Sequence, residues 1–296
     1  MENYDRTDLA CEACPEDENL PKGVSVTRFE RGKVRAEQMT VDENGAKTIG
    51  KPSGNYATFS SERFSLLDSE SRSDLSVLLS EELEKSAKNL TKKERNGDFS
   101  VLVVGLGNMG MTPDAVGPET VMRLNATSHI SKEKPELFEK LGCGKLSAIS
   151  PGVEGQTGID TYEIISSVTE KIEPDLVIAV DALAARSCDR LASTIQVSDV
   201  GIVPGSGVGN RRHELSAATL GVPVIAIGVP TVVDSSALVK DALERSGIEE
   251  FSEQMRNILE NGRRFFVAPK DCDEITRSAA ILIAESINKS FGVGEL

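Results

Sequence analysis

Carboxylates are the side chains best supplied for chemistry in this chain, because histidine and cysteine are scarce. Two histidines, His129 and His213, and five cysteines, Cys11, Cys14, Cys143, Cys188 and Cys272, stand against 47 acidic residues. That starves a His-rich metal site and leaves few bases for a Ser-His or Cys-His nucleophile. Two aspartates are singled out by position. Asp114 lies in Thr112-Pro113-Asp114-Ala115-Val116-Gly117-Pro118, a turn braced by two prolines and a glycine after the apolar run Val101 to Val104. Asp181 closes a second run, Asp175 to Val180. If both runs are parallel strands, the two carboxylates share the edge where open α/β sheets bind ligands. Like charges a few ångströms apart do not both ionise readily, so one keeps its proton while the other takes one from water. The competing reading is structural, since Asp commonly caps helix starts and turns.

Other motifs are weaker. Gly105 to Gly110 spells a literal G-x-G-x-x-G after a strand, the dinucleotide fingerprint. Met111-Thr112-Pro113 intervenes, however, and the ring of Pro118 places the start of a regular helix at Pro118 rather than inside the glycine motif. No acidic residue closes the next strand, Lys145 to Ile149, where a ribose partner would sit. The Gly-rich stretch 201 to 212 offers backbone amides to a carbonyl or anion, or serves as a lid or an ordinary loop. Arg211 and Arg212 within it, with Arg186, suit recognition of an acidic side chain. The C-x-x-C at Cys11 and Cys14 has no second pair and reads as chance spacing, and an odd, scattered cysteine set fits a reducing compartment.

The elements that must position these residues follow from periodicity. Strands are expected at Ser100 to Gly105, Lys145 to Ile149, Asp175 to Val180, Thr194 to Val197 and Val224 to Gly228. Helical patterns lie near 119 to 126, 161 to 172, 187 to 192, 235 to 245, 252 to 261 and 274 to 290. The alternation predicts an α/β fold, a mostly parallel central sheet covered by helices on both faces. Before it, Val24 to Ser61 reads as a hairpin and a further strand, a small antiparallel element, and a helix of several turns follows over 68 to 93. Residues 1 to 22 read as an exposed acidic tail, and 23 to 296 as a single domain.

The bulk numbers exclude some partners. In 296 residues, 39% apolar content is enough for a real core. A net charge of -14 repels phosphate backbones and anionic lipid. Direct nucleic-acid binding is therefore not expected, nor is a membrane span or a secretory signal, and the expected location is the cytoplasm.

Several blocks together resemble a known family. Val101 to Asn108, Thr112 to Pro118, Ser150 to Gly158, Val180 to Ser187 and Pro204 to Arg212 are similar to the germination proteases of spore-forming bacteria, in the family's order and over nearly the whole chain. One departure is Met109-Gly110 where a Trp is expected; the chain has no Trp. The resemblance implies an endopeptidase that starts degradation of small acid-soluble spore proteins in the forespore and spore core. It implies a fold similar to the hydrogenase maturation peptidases, a homotetramer, and catalysis by Asp114 and Asp181. No cofactor is expected, a divalent metal on the same carboxylates being the alternative. Asn108, Arg186, Arg211 and Arg212 become candidate substrate-binding residues. The family is made as a zymogen that removes its own N-terminus. Asp8-Leu9-Ala10-Cys11-Glu12 is similar to its substrate pattern of an acidic, a bulky apolar, Ala, a small and a Glu residue. Cleavage is expected between Asp8 and Leu9, with residues 1 to 8 as propeptide.

Overall fold

The apolar runs that alternate along the chain become adjacent strands because each buries both of its faces. In a computed structural model, residues 7–14, 19–94, 96–204, 213–248, 251–261 and 265–291 are described. The strands are β1 (Val24–Arg31), β2 (Val34–Val41), β3 (Gly54–Ser60), β4 (Ser100–Gly105), β5 (Lys145–Ile149), β6 (Leu176–Ala185), β7 (Thr194–Ser198), β8 (Val224–Asp234) and β9 (Phe266–Val267). They form one sheet in the order β1-β2-β3-β7-β8-β6-β4-β5, with β9 paired to β8.

The expectation of a mostly parallel sheet is corrected. Only β4 with β5, β4 with β6 and β6 with β8 are parallel, whereas five ladders are antiparallel. The N-terminal hairpin is not a separate element either. β3 pairs with β7 and β7 with β8, so the antiparallel strands continue the parallel ones. No local pattern carries this joint, because β3 and β7 lie more than 130 residues apart in sequence.

Helices cover both faces of the parallel half. Val101 and Val103 of β4 point to one layer, with Leu75, Leu79 and Leu83 of the helix Ser69–Thr91 and Ala279, Leu282 and Ile283 of the helix Cys272–Ser290. Leu102 and Val104 point to the other, with Ile165 of the helix Thr161–Ile172. This alternation along one strand is the period-two rule at work. Asp68 and Asp160 cap two of these helices with their carboxylates. The helix expected over 187 to 192 is only a single 3-10 turn, Cys188–Arg190, which links β6 to β7. A short helix, Glu43–Ile49, was not signalled by periodicity; Asp42 caps it and Gly50 ends it in the left-handed region.

The N-terminal segment departs most from its reading as an exposed tail. Leu9 and Ala10 are wholly buried, and Glu12 nearly so. Leu9 joins Leu183, Ala185, Leu191 and Val233, and Ala10 joins Val41, Ile49 and Tyr56. Composition alone misplaces the segment, because its few apolar residues are the ones that dock.

Candidate active site

Asp114 is held where β4 ends by two close backbone approaches. Gly107 has φ +111°, and a Cβ there would lie 2.0 Å from the carbonyl oxygen of Asp114. A Cβ on Gly117 would meet the carbonyl oxygens of Leu106 at 2.3 Å and Val180 at 2.5 Å. The glycines therefore let the turn fold back onto the strand ends, a packing use rather than a phosphate cradle. The helix that follows is Val116–Val121, so Pro118 sits in its first turn, where a missing N–H costs nothing. Asn108 N–H donates to Asp114 Oδ2 at 2.8 Å. Two threonines that sequence reading passed over clamp the turn from outside. The hydroxyl of Thr231 donates to the carbonyl of Pro113 at 2.6 Å, and that of Thr276 to the carbonyl of Thr112 at 3.0 Å.

Asp181 lies inside β6 rather than at its end. β6 runs on to Ala185 beside β8, while β4 stops opposite Val180. The shorter neighbour makes a local sheet edge at Asp181, which is buried and accepts from Ala182 N–H at 2.9 Å. Both aspartates line one cavity of about 530 Å³, together with Asn108, Thr161, Leu183 and Asp8.

Asp8 is the unexpected member of that wall. Its N–H donates to the carbonyl of Ala184 at 2.9 Å, and Ala184 N–H donates to Asp8 Oδ2 at 2.8 Å. The segment thus pairs with the stretch of β6 left open where β4 ends. Downstream, the Glu12 carboxylate accepts from the N–H groups of Arg186 at 2.8 Å and Ser187 at 2.9 Å, and from the Thr7 hydroxyl. Lys51 Nζ donates to the Thr7 carbonyl at 2.6 Å. Burial draws the Lys51 ammonium below its ordinary pKa, opposed by the charges of Asp8 and Glu12. Gln196 of β7 contacts the segment twice, accepting from Ala10 N–H at 2.6 Å and donating to the Asp8 carbonyl at 3.5 Å.

A family model described as germination protease matches residues 6–261. The chain belongs to the germination protease family. It is 45% identical over 248 residues to the germination protease of Priestia megaterium, an overlap of 81% of this chain and 66% of that protein. The Clostridium acetobutylicum germination protease is 39% identical over 295 residues, 98% of this chain and 87% of its own length. That of Bacillus subtilis is 43% identical over 259 residues, 85% and 69% of the two chains. The chain therefore spans just under two thirds of the Priestia megaterium relative.

For this germination protease homologue, the residues nominated from sequence divide into groups. Asp114, Asp181 and Asp8 come together in the cavity, and Leu9 lies beside it under Leu183. Asn108 lines the cavity too, but its side-chain oxygen accepts from Gly110 N–H at 2.8 Å and from Gln156 at 2.7 Å, which stiffens the turn. Arg186 contacts the Glu12 carboxylate through its backbone N–H, a contact any residue there could make. Arg211 and Arg212 lie outside the described residues. Gln196, Lys51 and Thr231 were missed, because a single polar residue in a strand or a connecting loop carries no local signal of a ligand. His213 pairs with Asp160 and packs on Tyr162, while Cys143 lies in the core beside Phe138. All five cysteines are free thiols. Among the described residues, no three His, Cys, Asp or Glu side chains group to hold a metal, and no helix is long and apolar enough to cross a membrane.

Proposed function

We propose that this chain is an endopeptidase of spore germination that cleaves small acid-soluble spore proteins and first removes its own residues 1 to 8. The observation that carries the reading is that Asp8 lines the same cavity as Asp114 and Asp181. The segment 8 to 12 resembles the family's substrates, and it is held against β6 and the residues after it by the backbone and carboxylate of Asp8 and by the carboxylate of Glu12, which lies in a 3-10 turn, Cys11–Ala13.

In this reading one aspartate takes a proton from a water molecule, whose oxygen bonds to the Asp8 carbonyl carbon as the π electrons move to the carbonyl oxygen. When that intermediate collapses, the C–N bond to Leu9 breaks, and its nitrogen takes a proton from the partner aspartate. The products are an Asp8 carboxylic acid and a Leu9 amine, and transfer of the acid's proton to the amine leaves a carboxylate and an ammonium group. Asp181 is buried and Asp114 half-buried, which limits competing water. Spore proteins would then occupy the groove that residues 8 to 12 fill, with an acidic side chain meeting the Arg186 and Ser187 amides. Kinship with the hydrogenase maturation peptidases, a homotetramer and a spore-core location belong to the same proposal, and rest on the family resemblance.

N-terminal sequencing of incubated wild-type and Asp114→Asn protein tests the reading. A new terminus at Leu9 in the wild type alone is expected; an intact wild-type terminus overturns self-processing, and cleavage in both proteins overturns the role of Asp114. A second reading has the same carboxylates hold a divalent metal that activates the water. Loss of processing after exhaustive chelation, with recovery on adding the metal back, would favour it.

A further inference from the structure

We infer that Gln196 is a further catalytic residue, its side-chain amide clamping the peptide on both sides of the Asp8–Leu9 bond and stabilising the oxyanion formed at the Asp8 carbonyl. The inference rests on the reading of that bond as the one cut.

The identity of the contacting atoms follows from donor chemistry. Ala10 N–H can only donate, so the Gln196 atom 2.6 Å away is the carbonyl oxygen Oε1. The remaining atom, Nε2, is then an NH2 group, which can only donate, and it faces the Asp8 carbonyl oxygen at 3.5 Å. One amide therefore fixes the backbone on the leaving side of the bond and offers a proton to the oxygen on the acyl side. At 3.5 Å the bond to the planar carbonyl is weak. A donor that tightens only as the oxygen gains charge favours the transition state over the ground state, which is what accelerates a reaction.

The surroundings fit that use. Asp8 lines two cavities, one of about 530 Å³ with Asp114 and Asp181 and one of about 280 Å³ with Gln196 and Lys51. The aspartates and the amide thus line two different cavities that meet at Asp8. Gln196 is buried within β7, which is hydrogen-bonded to β3 on one side and β8 on the other, so its position is fixed by the sheet. Burial keeps water from screening the amide dipole. The residue type matters as well: a carboxylate at this position would repel the developing oxyanion.

The test uses the full chain after it has processed itself, with a synthetic peptide copying residues 1 to 14 as substrate, and circular dichroism to check folding. Gln196→Met preserves approximate shape without a donor or a strong acceptor, and is expected to lower kcat about 100-fold, the usual loss on removing one oxyanion donor. Gln196→Glu keeps the acceptor for the Ala10 N–H, but has a donor only when protonated. Its rate relative to wild type at the same pH is therefore expected to climb as pH falls from 7 to 5. A Gln196→Met protein whose kcat falls by less than about tenfold, or that changes KM alone, overturns the inference while the wild type still cuts. Should that variant not fold, a Gln196→Glu to wild-type ratio that stays flat with pH overturns it instead. A wild type that leaves the Asp8–Leu9 bond intact removes the underlying reading, whatever the variants do.

Discussion

The two halves of the sheet divide the work. The parallel strands β5, β4, β6 and β8 carry the pair, Asp114 on a close-packed glycine turn after β4 and Asp181 within β6, with helices on both faces. The antiparallel strands β1, β2, β3 and β7 carry no acid of the pair, yet they supply Gln196 and pack against Ala10. The candidate chemistry sits on one half and much of the grip on the peptide on the other, so the site exists only where β6 and β8 outrun β4. A sheet that was parallel throughout would offer the carboxylates but no such second wall.

The contrast is broken most directly by removing one acid. Asp181→Asn is expected to slow loss of residues 1 to 8 by roughly 10³-fold or more while the protein stays folded, followed by mass spectrometry of the incubated chain. An Asn that processed at the wild-type rate would move the chemistry off the parallel half.

The next effect reads the grip. Burial, partly offset by Arg190, pushes the Cys11 thiol up to about 11 from its ordinary 9.0. With the segment docked, thiolate at pH 8 is then about 100-fold scarcer than in a free peptide, and alkylation of Cys11 by iodoacetamide should be slower by a similar factor. Because the raised pKa belongs to the docked state, docking is at full strength below pH 9 and weakens as pH climbs through the window from 9 to about 11. Site-resolved mass spectrometry measures this, and a Cys11 that reacts like a free thiol would remove the buried groove.

Glu12→Gln keeps the shape of the side chain and removes its charge. The amide keeps one oxygen for one of the Arg186 and Ser187 N–H groups and turns an NH2 donor toward the other, so docking should weaken by about 2 kcal/mol, some 30-fold. That is readable as the potency of peptides copying residues 7 to 14 as inhibitors of the processed protein. The smallest change is Thr231→Val, which deletes the bond to the Pro113 carbonyl. It should cost about 1 kcal/mol in thermal unfolding and a few-fold in processing, by loosening the turn that aims Asp114.

The same division explains what the sequence reveals. In the parallel half, continuous apolar runs bounded by turn residues mark β4 and β5 to the residue, and the braced turn exposes Asp114 as a candidate. The antiparallel half shows its strands as alternation but not their attachment, because pairing of β3 with β7 is a long-range choice that no local pattern holds. Gln196 is silent for the same reason: as one polar residue in Thr194–Ser198 it matters only once Ala10 arrives beside it. The germination protease blocks settle the family from the order of their residues, whereas the aspartates gain meaning from a neighbour, Asp8, that composition assigns to an exposed tail.

Leu9 has one more consequence. Its side chain fills an oily pocket formed by Leu183, Ala185, Leu191 and Val233, while its N–H donates to the Thr7 hydroxyl at 3.0 Å, a partner that leaves with residues 1 to 8. Cutting the bond before it turns a neutral amide into an ammonium group, and a bare charge against hydrocarbon costs several kcal/mol unless it finds a partner or water. The new terminus would thus be evicted by its own charge, opening the groove to the next chain without a hinge or lid.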